Sequence, residues 1–355
     1  MSNNYLTIAN AHWTLTGTVP DPNQVYIKGQ GTGGFNIPPT KATVSGTDVS
    51  IGTVSSGTAF TANTTQYYSS FTIQWEVSFN GPSGTYQSAG TSANVIYVGL
   101  SDTGPAGTTL FRTVVHLACS NAGATNADEA VAKNWALFSD STSTNRHAGP
   151  KGVNGWDETA QTWTRPLYYY QKTGADFRHF GQSAQNSVAD LLGTAYGGSG
   201  QCGVWADLLA AVFAVNGVSS TVIDATIIPS SGYTLFWVNN WTENDMTIDF
   251  NFPGKPGYFS NDLMPNPAGG NYGAMSDATG AAGQHSPTPS EKCWGDHAFT
   301  QYKTLYYDPS YGFIHTGPAD LQSNCIKCFG KSDGRSPTGE YRYKLTEETN
   351  TVIQF

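Results

Sequence analysis

Gly197-Gly198-Ser199-Gly200-Gln201-Cys202-Gly203-Val204-Trp205-Ala206 is the stretch from which the rest of the chain can be read. A glycine-rich approach delivers one cysteine to the first turn of a strongly apolar helix. In that helix Trp205, Leu208, Leu209, Val212 and Phe213 recur at helical spacing, and Gly217 is placed to end it. The placement has chemical consequences. The thiolate, not the thiol, is the nucleophile, and a helix N-terminus stabilises the anion. The same helix start exposes backbone N–H groups that suit an oxyanion.

A base and an orienting carboxylate lie downstream. The segment from Asp296-His297 to Asp308-Pro309 reads as a hairpin turning at Lys303-Thr304. Tyr302 then opposes Leu305 and Phe299 opposes Asp308, so His297 and Asp308 become diagonal neighbours on one face, with backbones about 7–8 Å apart. One hydrogen bond between side chains spans that gap, and a one-residue bulge would turn the pair to opposite faces. Taken singly, Cys202 reads as a small buried hydrophobe, His297 as a hydrogen-bonded strand histidine and Asp308 as an Asp-Pro turn residue. Taken together they are a nucleophile, a general base and the group that fixes its tautomer.

These motifs resemble those of the transglutaminase-like superfamily. Gly200-Gln201-Cys202-Gly203-Val204-Trp205-Ala206 is similar to its nucleophile segment, Asp296-His297-Ala298-Phe299 to its histidine strand, and Tyr307-Asp308-Pro309-Ser310 to the Asp-Pro segment that completes its triad. The order Cys, His, Asp agrees, and the likeness covers roughly residues 110–315. The resemblance implies a papain-like core, with the Cys helix packed on an antiparallel sheet that carries His and Asp. It also implies a thiolate–imidazolium pair attacking carboxamide or peptide carbonyls, with peptide or protein as substrate. Members include transamidases, peptidases, amidases and inactive relatives. The chain departs from the pattern in having Phe299 where the aromatic after the histidine is often Trp, and in its short His-to-Asp hairpin. Trp163 and Tyr168-Tyr169-Tyr170 are candidates for the aromatic that the family often places near the oxyanion.

Length and composition frame the rest. With 355 residues and 38% hydrophobic content, the chain has enough apolar surface for two domains. The expected fold class is α+β, with a sandwich-like all-β domain over residues 1–105 and a transglutaminase-like domain over 106–355. In the first, Phe71, Ile73, Trp75, Val77 and Phe79 alternate with Thr72, Gln74, Glu76 and Ser78, the period of a half-buried strand. Val95–Val98 reads as another strand, and 101–107 as a turn-rich boundary. In the second, Asn126 caps a helix whose face carries Val131, Asn134, Trp135 and Phe138, and a further helix runs from Ser187 to Leu192. Strands are expected over 221–228, 233–238 and 246–252, followed by a long irregular insertion, 253–292, placed either as a cleft wall or as a solvated excursion.

Charged residues make up only 12% of the chain, against about 25% in an average protein. A polar, weakly charged, glycine-rich surface is common in secreted and cell-surface β-rich proteins, so an extracellular or surface location is expected, although the first eight residues do not read as a signal peptide. The net charge of −9 and the absence of a Lys/Arg cluster argue against a nucleic-acid partner. No apolar run approaches the roughly 20 residues of a membrane span.

Five cysteines are an odd number. With Cys202 set apart, Cys119, Cys293, Cys325 and Cys328 allow two disulfides in three connectivities, and Cys325-x-x-Cys328 is also half of a zinc motif. The histidines, His147 and His315 among them, show no ligand spacing, so no metal and no cofactor is expected. Two readings lead: a cysteine-dependent acyl-transfer enzyme acting on peptide or glutamine amides through Cys202, His297 and Asp308, or a non-catalytic surface, binding or filament-assembly protein that keeps the fold; a third, a metal-dependent hydrolase, is weak because the sequence shows no ligand cluster.

Overall fold

The structure, a computed structural model, describes residues 5–8, 11–60, 63–101, 110–169, 187–193, 198–228, 234–238, 258–259, 283–285, 293–294, 296–317, 320–321, 326–331 and 342–347. It is of mixed α+β composition. The chain divides into two compact units, Met1–Thr103 with Cys119–Ala130, and Gly104–Ala118 with Val131–Phe355. No helix among the described residues is long and apolar enough to cross a membrane.

The first unit is built from antiparallel strands. A four-stranded sheet runs in the order Asn36–Lys41, Tyr26–Gly31, Gln66–Ser78, Gln87–Val98. A three-stranded sheet has the order Ala11–Thr14, Asp48–Ile51, Thr43–Ser45. Both contribute to one apolar core, in which Ile27, Ile37, Val49, Ile51, Phe71 and Ile73 are buried. The alternation seen in sequence sets the long strand: Phe71, Ile73, Trp75 and Val77 are buried while Gln74 is exposed. The alternation stops at Ser78, where the strand ends. Ser78 is buried because its hydroxyl donates to Gly81 O at 2.8 Å, and Phe79 is left half-buried in the turn.

The partner strand begins eight residues earlier than its apolar end at Val95–Val98 suggests. Its first two-thirds, Gln87–Asn94, is mostly small and polar and pairs by backbone, Gln74 opposite Thr91 and Ile73 opposite Ser92. The register shifts between Trp75 and Glu76, across from Gly90, whose φ of 101° is a conformation for glycine.

The second unit is organised on a five-stranded antiparallel sheet, ordered Phe313–His315, Leu305–Asp308, Asp296–Tyr302, Thr221–Ile228, Arg342–Glu347. A smaller four-stranded sheet contains Tyr258–Phe259, Ile326–Lys331, Thr234–Val238 and Cys293–Trp294. Four helices are described: α1 (Arg112–Cys119), α2 (Ala127–Trp135), α3 (Val188–Leu192) and α4 (Cys202–Val215). Most of the 14 residues of α4 are buried, as expected of a helix that is apolar all round. It approaches the sheet through small residues. Ala206 and Ala210 meet Val222 and Ala298, and Thr300 Oγ1 donates to Ala206 O at 2.8 Å.

Helix α1 is an element that the sequence reading omitted, although Val114, Leu117 and Ala118 lie at helical spacing and are buried. In α2, Asn126 Oδ1 accepts from Glu129 N at 3.0 Å and Glu129 Oε2 accepts from Thr125 N at 2.7 Å, capping the helix as expected. That helix ends at Trp135, so Phe138 is buried from the following turn rather than from the helix face. Ser187 caps α3 through Asp190 N. The strand expected over 246–252, most of the boundary 101–107 and most of the insertion 253–292 lie outside the described residues.

Candidate active site

The glycine run has a steric reason. Gly198 has a φ of 79°, and a Cβ there would sit 2.7 Å from Pro166 O. The chain can then pair Ser199 and Gly200 in parallel with Tyr168 and Tyr169. Gln201 follows as the helix N-cap in extended conformation, with no side-chain cap hydrogen bond, and α4 starts at Cys202. The first N–H groups of this long helix therefore receive no side-chain acceptor from Gln201. Cys202 is half-buried and carries a thiol, packed against the cluster of Ala206, Ala210, Val222 and Ala298. Ala298 is the residue after His297.

His297 and Asp308 meet directly. The hairpin turns at Lys303-Thr304, with Tyr302 opposite Leu305 and Thr300 opposite Tyr307, and His297 Nε2 lies 2.9 Å from Asp308 Oδ2. Both side chains are 0% exposed. The second carboxylate oxygen is used as well, since Oδ1 accepts from Ser310 N at 3.0 Å and Tyr311 N at 3.2 Å. Asp308 is thus both the Asp-Pro turn residue and the partner of the histidine, one oxygen for each. Three donors offset the cost of burying the carboxylate. Because Nε2 is committed to Asp308, any proton exchanged with a thiol passes through Nδ1.

Aromatic rings fix the plane of the imidazole. Phe299, Tyr311 and Tyr169 lie 4.9, 5.7 and 6.4 Å from it, centroid to centroid. Tyr169 is the upstream aromatic that reaches the histidine, and it links back to the thiol segment because its backbone pairs with Gly200. Next to it, Tyr168 O accepts from Trp205 Nε1 of α4 at 3.2 Å. Trp163 belongs elsewhere, stacked on His116 with ring centroids 3.6 Å apart.

Gln284, from the insertion, is a residue that sequence reasoning did not single out. Its side chain is fully buried. Oε1 accepts from Gly152 N and Val153 N at 3.0 and 3.2 Å, and Nε2 donates to Phe138 O and Pro309 O at 2.9 and 2.8 Å. Its backbone accepts from Tyr169 N and donates to Ser310 O. One residue so ties the turn after Asp308 to the strand that holds Tyr169 by its backbone, and to the segments of Phe138 and Gly152-Val153 by its side chain. A lone Gln in a Pro/Gly/Asn/Ser-rich stretch carries no local signal of this role.

The cysteine count is resolved in part. Cys119 and Cys202 are both thiols, so the two-disulfide scheme that used Cys119 does not hold. Cys119 is buried at the end of α1, and burial pushes its thiol up to about 12. The side chains of Cys293, Cys325 and Cys328 lie outside the described residues. One group of donors at metal-binding spacing occurs among the described residues, His147, His315 and Asp320, at the edge of the same sheet. Burial keeps His315 neutral, at about 4, and lowers His147 as well.

No protein-family model, curated protein or solved structure matches the chain.

Proposed function

We propose that the second unit is a transglutaminase-like, papain-like domain. On this reading the protein is a cysteine-dependent acyl-transfer enzyme acting on peptide or glutamine amides. Cys202 is the nucleophile, His297 the base and Asp308 the orienting carboxylate. The observation that carries this reading is the buried 2.9 Å bond between His297 Nε2 and Asp308 Oδ2, on a strand packed against the helix that begins with Cys202.

The chemistry follows from the groups present. Cys202 Sγ gives its proton to His297 Nδ1, and Asp308 stabilises the imidazolium. The thiolate attacks the amide carbonyl carbon, and the oxyanion forms beside the N–H groups at the start of α4. Collapse breaks the C–N bond while Nδ1 returns the proton to the leaving amine. The thioester is then released to water or to a second amine, with His297 again taking the acceptor's proton. The accompanying first unit, whose three- and four-stranded sheets share one core, is read as a sandwich-like module, and a secreted or surface setting agrees with the low charge.

A second reading, a non-catalytic binding or assembly protein with the same fold, is favoured by one observation: His297 and Asp308 are both 0% exposed. Thiol alkylation across pH, mapped by peptide mass, separates the two. An active pair makes Cys202 react well below the pH of an ordinary thiol. Cys119, held at about 12, stays silent there. Labelling of Cys202 that rises only near pH ~8.5 would overturn the enzyme reading.

A further inference from the structure

A second cluster lies at the edge of the five-stranded sheet and takes no part in the chemistry above. His315 stands on the edge strand, opposite Tyr306, and is 0% exposed. Neither of its ring nitrogens has a hydrogen-bond partner among the described residues, and the buried Nε2 of His147 has none either. Buried polar atoms left in this way are costly, and each calls for a reason. The two rings face each other with centroids 5.5 Å apart, and Asp320 completes a set whose donor atoms all lie within 4.8 Å of one another.

The scaffold around this set is firmly held. The loop that bears His147 is pinned to the loop before the edge strand: Ser139 Oγ and Ser141 Oγ each donate to Gly312 O at 2.6 Å, and Ile314 N donates to Arg146 O at 2.9 Å. Gly312 has a φ of 70°, and a Cβ there would lie 2.5 Å from the backbone of Gly149, so the two segments approach as closely as glycine allows. Asp320 is oriented in turn, with Oδ2 accepting from Thr316 N at 2.7 Å and Thr316 Oγ1 at 3.2 Å. Its Oδ1 lies 3.3 Å from Arg146 Nη2.

We propose that His147, His315 and Asp320 form a binding site for a divalent transition-metal ion of the zinc type, held by two imidazoles and one carboxylate with a fourth position for water. Ligand atoms around tetrahedral zinc, at the usual bond lengths, stand about 3.4 Å apart. The cluster reaches that spacing by a small contraction of side chains whose backbones are already fixed. Arg146 offsets the charge of Asp320, which leaves the imidazoles as the main source of affinity. That balance selects zinc, cobalt, nickel or copper over calcium and magnesium, which want several oxygens. The ion would clamp the His147 loop to the edge strand beside Asp308. The site stands independently of the proposed acyl-transfer chemistry.

The test uses the full chain, stripped with a chelator and titrated with Zn²⁺ and with Co²⁺. The expected result is one ion per chain, a rise in the thermal unfolding midpoint, and a cobalt spectrum of nitrogen and oxygen ligands without thiolate charge-transfer bands. His147→Ala, with its fold checked by circular dichroism, should weaken binding beyond the roughly 10–100-fold loss that follows removal of an outer-shell partner. Asp320→Asn should weaken it as well, while the double variant Cys325→Ser/Cys328→Ser leaves it unchanged. If His147→Ala does not fold, the Asp320→Asn affinity and the cobalt spectrum decide. The absence of a stoichiometric ion, thiolate bands in the cobalt spectrum, or binding that survives the His147 and Asp320 variants and vanishes with the cysteine pair would each overturn the proposal.

Discussion

The buried faces of the two large sheets differ in kind. In the first unit the inner face is apolar, with Ile27, Ile37, Phe71 and Ile73 against one another and against the second sheet. In the second unit the sheet buries His297, Thr300, Asp308 and His315, each at 0% exposure. Apolar burial is forgiving, because any side chain of similar volume serves. Polar burial is not, because each group needs its own partner and a missing partner leaves a desolvated orphan. A sheet that accepts that cost along its interior is where the chain's chemistry is to be sought.

This contrast can be broken or sharpened by substitution, and the largest effect is expected at the dyad. Asp308→Asn keeps an oxygen for Ser310 N and Tyr311 N but presents an amide to His297, disturbing its tautomer. On the proposed function, turnover of an amide substrate should fall by roughly 10⁴-fold with the fold retained, as read by kcat beside a denaturant midpoint. Unchanged turnover would reduce Asp308 to a turn residue and erase the contrast between the sheets.

Next in size is Gln284→Ala. It strands two N–H groups and the Pro309 carbonyl at once, while Phe138 O keeps its bond from Lys151 N, and a loss of about 3–5 kcal/mol is expected from the orphaned groups. In the first unit, Ile73→Val should cost only about 0.5–1.5 kcal/mol. Chemical denaturation of both variants measures the difference, and equal losses would mean that the polar layer is no more exacting than the apolar one.

The smallest effect concerns His116, stacked on Trp163. Burial, with help from Arg112, lowers its pKa from 6.5 to about 4. Between those values the unfolded chain takes up a proton that the folded ring refuses. Stability is therefore complete above pH 6.5 and declines as pH falls towards 4. The slope should be a fraction of the roughly 1.4 kcal/mol per pH unit of a fully buried group, since the ring is partly exposed. Unfolding midpoints of His116→Phe should lose that part of the decline, and an unaltered profile would assign it to other groups.

Several of these features were legible from residue order. Alternation placed the strand through Phe71 and Trp75, and small-polar pairing hid the first two-thirds of its neighbour, because Gln87–Asn94 gains its conformation from backbone bonds and not from an apolar pattern. The hairpin between His297 and Asp308 could be registered from its turn, since two strands joined by two residues leave little freedom. Helix α1 leaves only a weak trace in Val114, Leu117 and Ala118, because a short helix behind a turn-rich segment has little room for a periodic pattern. Tyr169 stood out only as one of three consecutive tyrosines until its backbone pairing with Gly200 set its ring beside His297.

What residue order by itself determined is therefore local: the glycine approach to Cys202, the apolar helix behind it, the strand periods, and the turn that brings Asp308 to His297. These depend on neighbours within a few residues, where sterics and side-chain period act directly. Tertiary structure alone decided the rest. Gln284 became a clip only when strands and turns from four places closed around it. His147 and His315 became a pair only because the loop from Ser139 to Gly149 is hydrogen-bonded to the segment around Gly312. Polar groups carry no period of their own. Their partners are chosen by whichever distant segment the packed sheet brings within about 3 Å, the reach of a hydrogen bond.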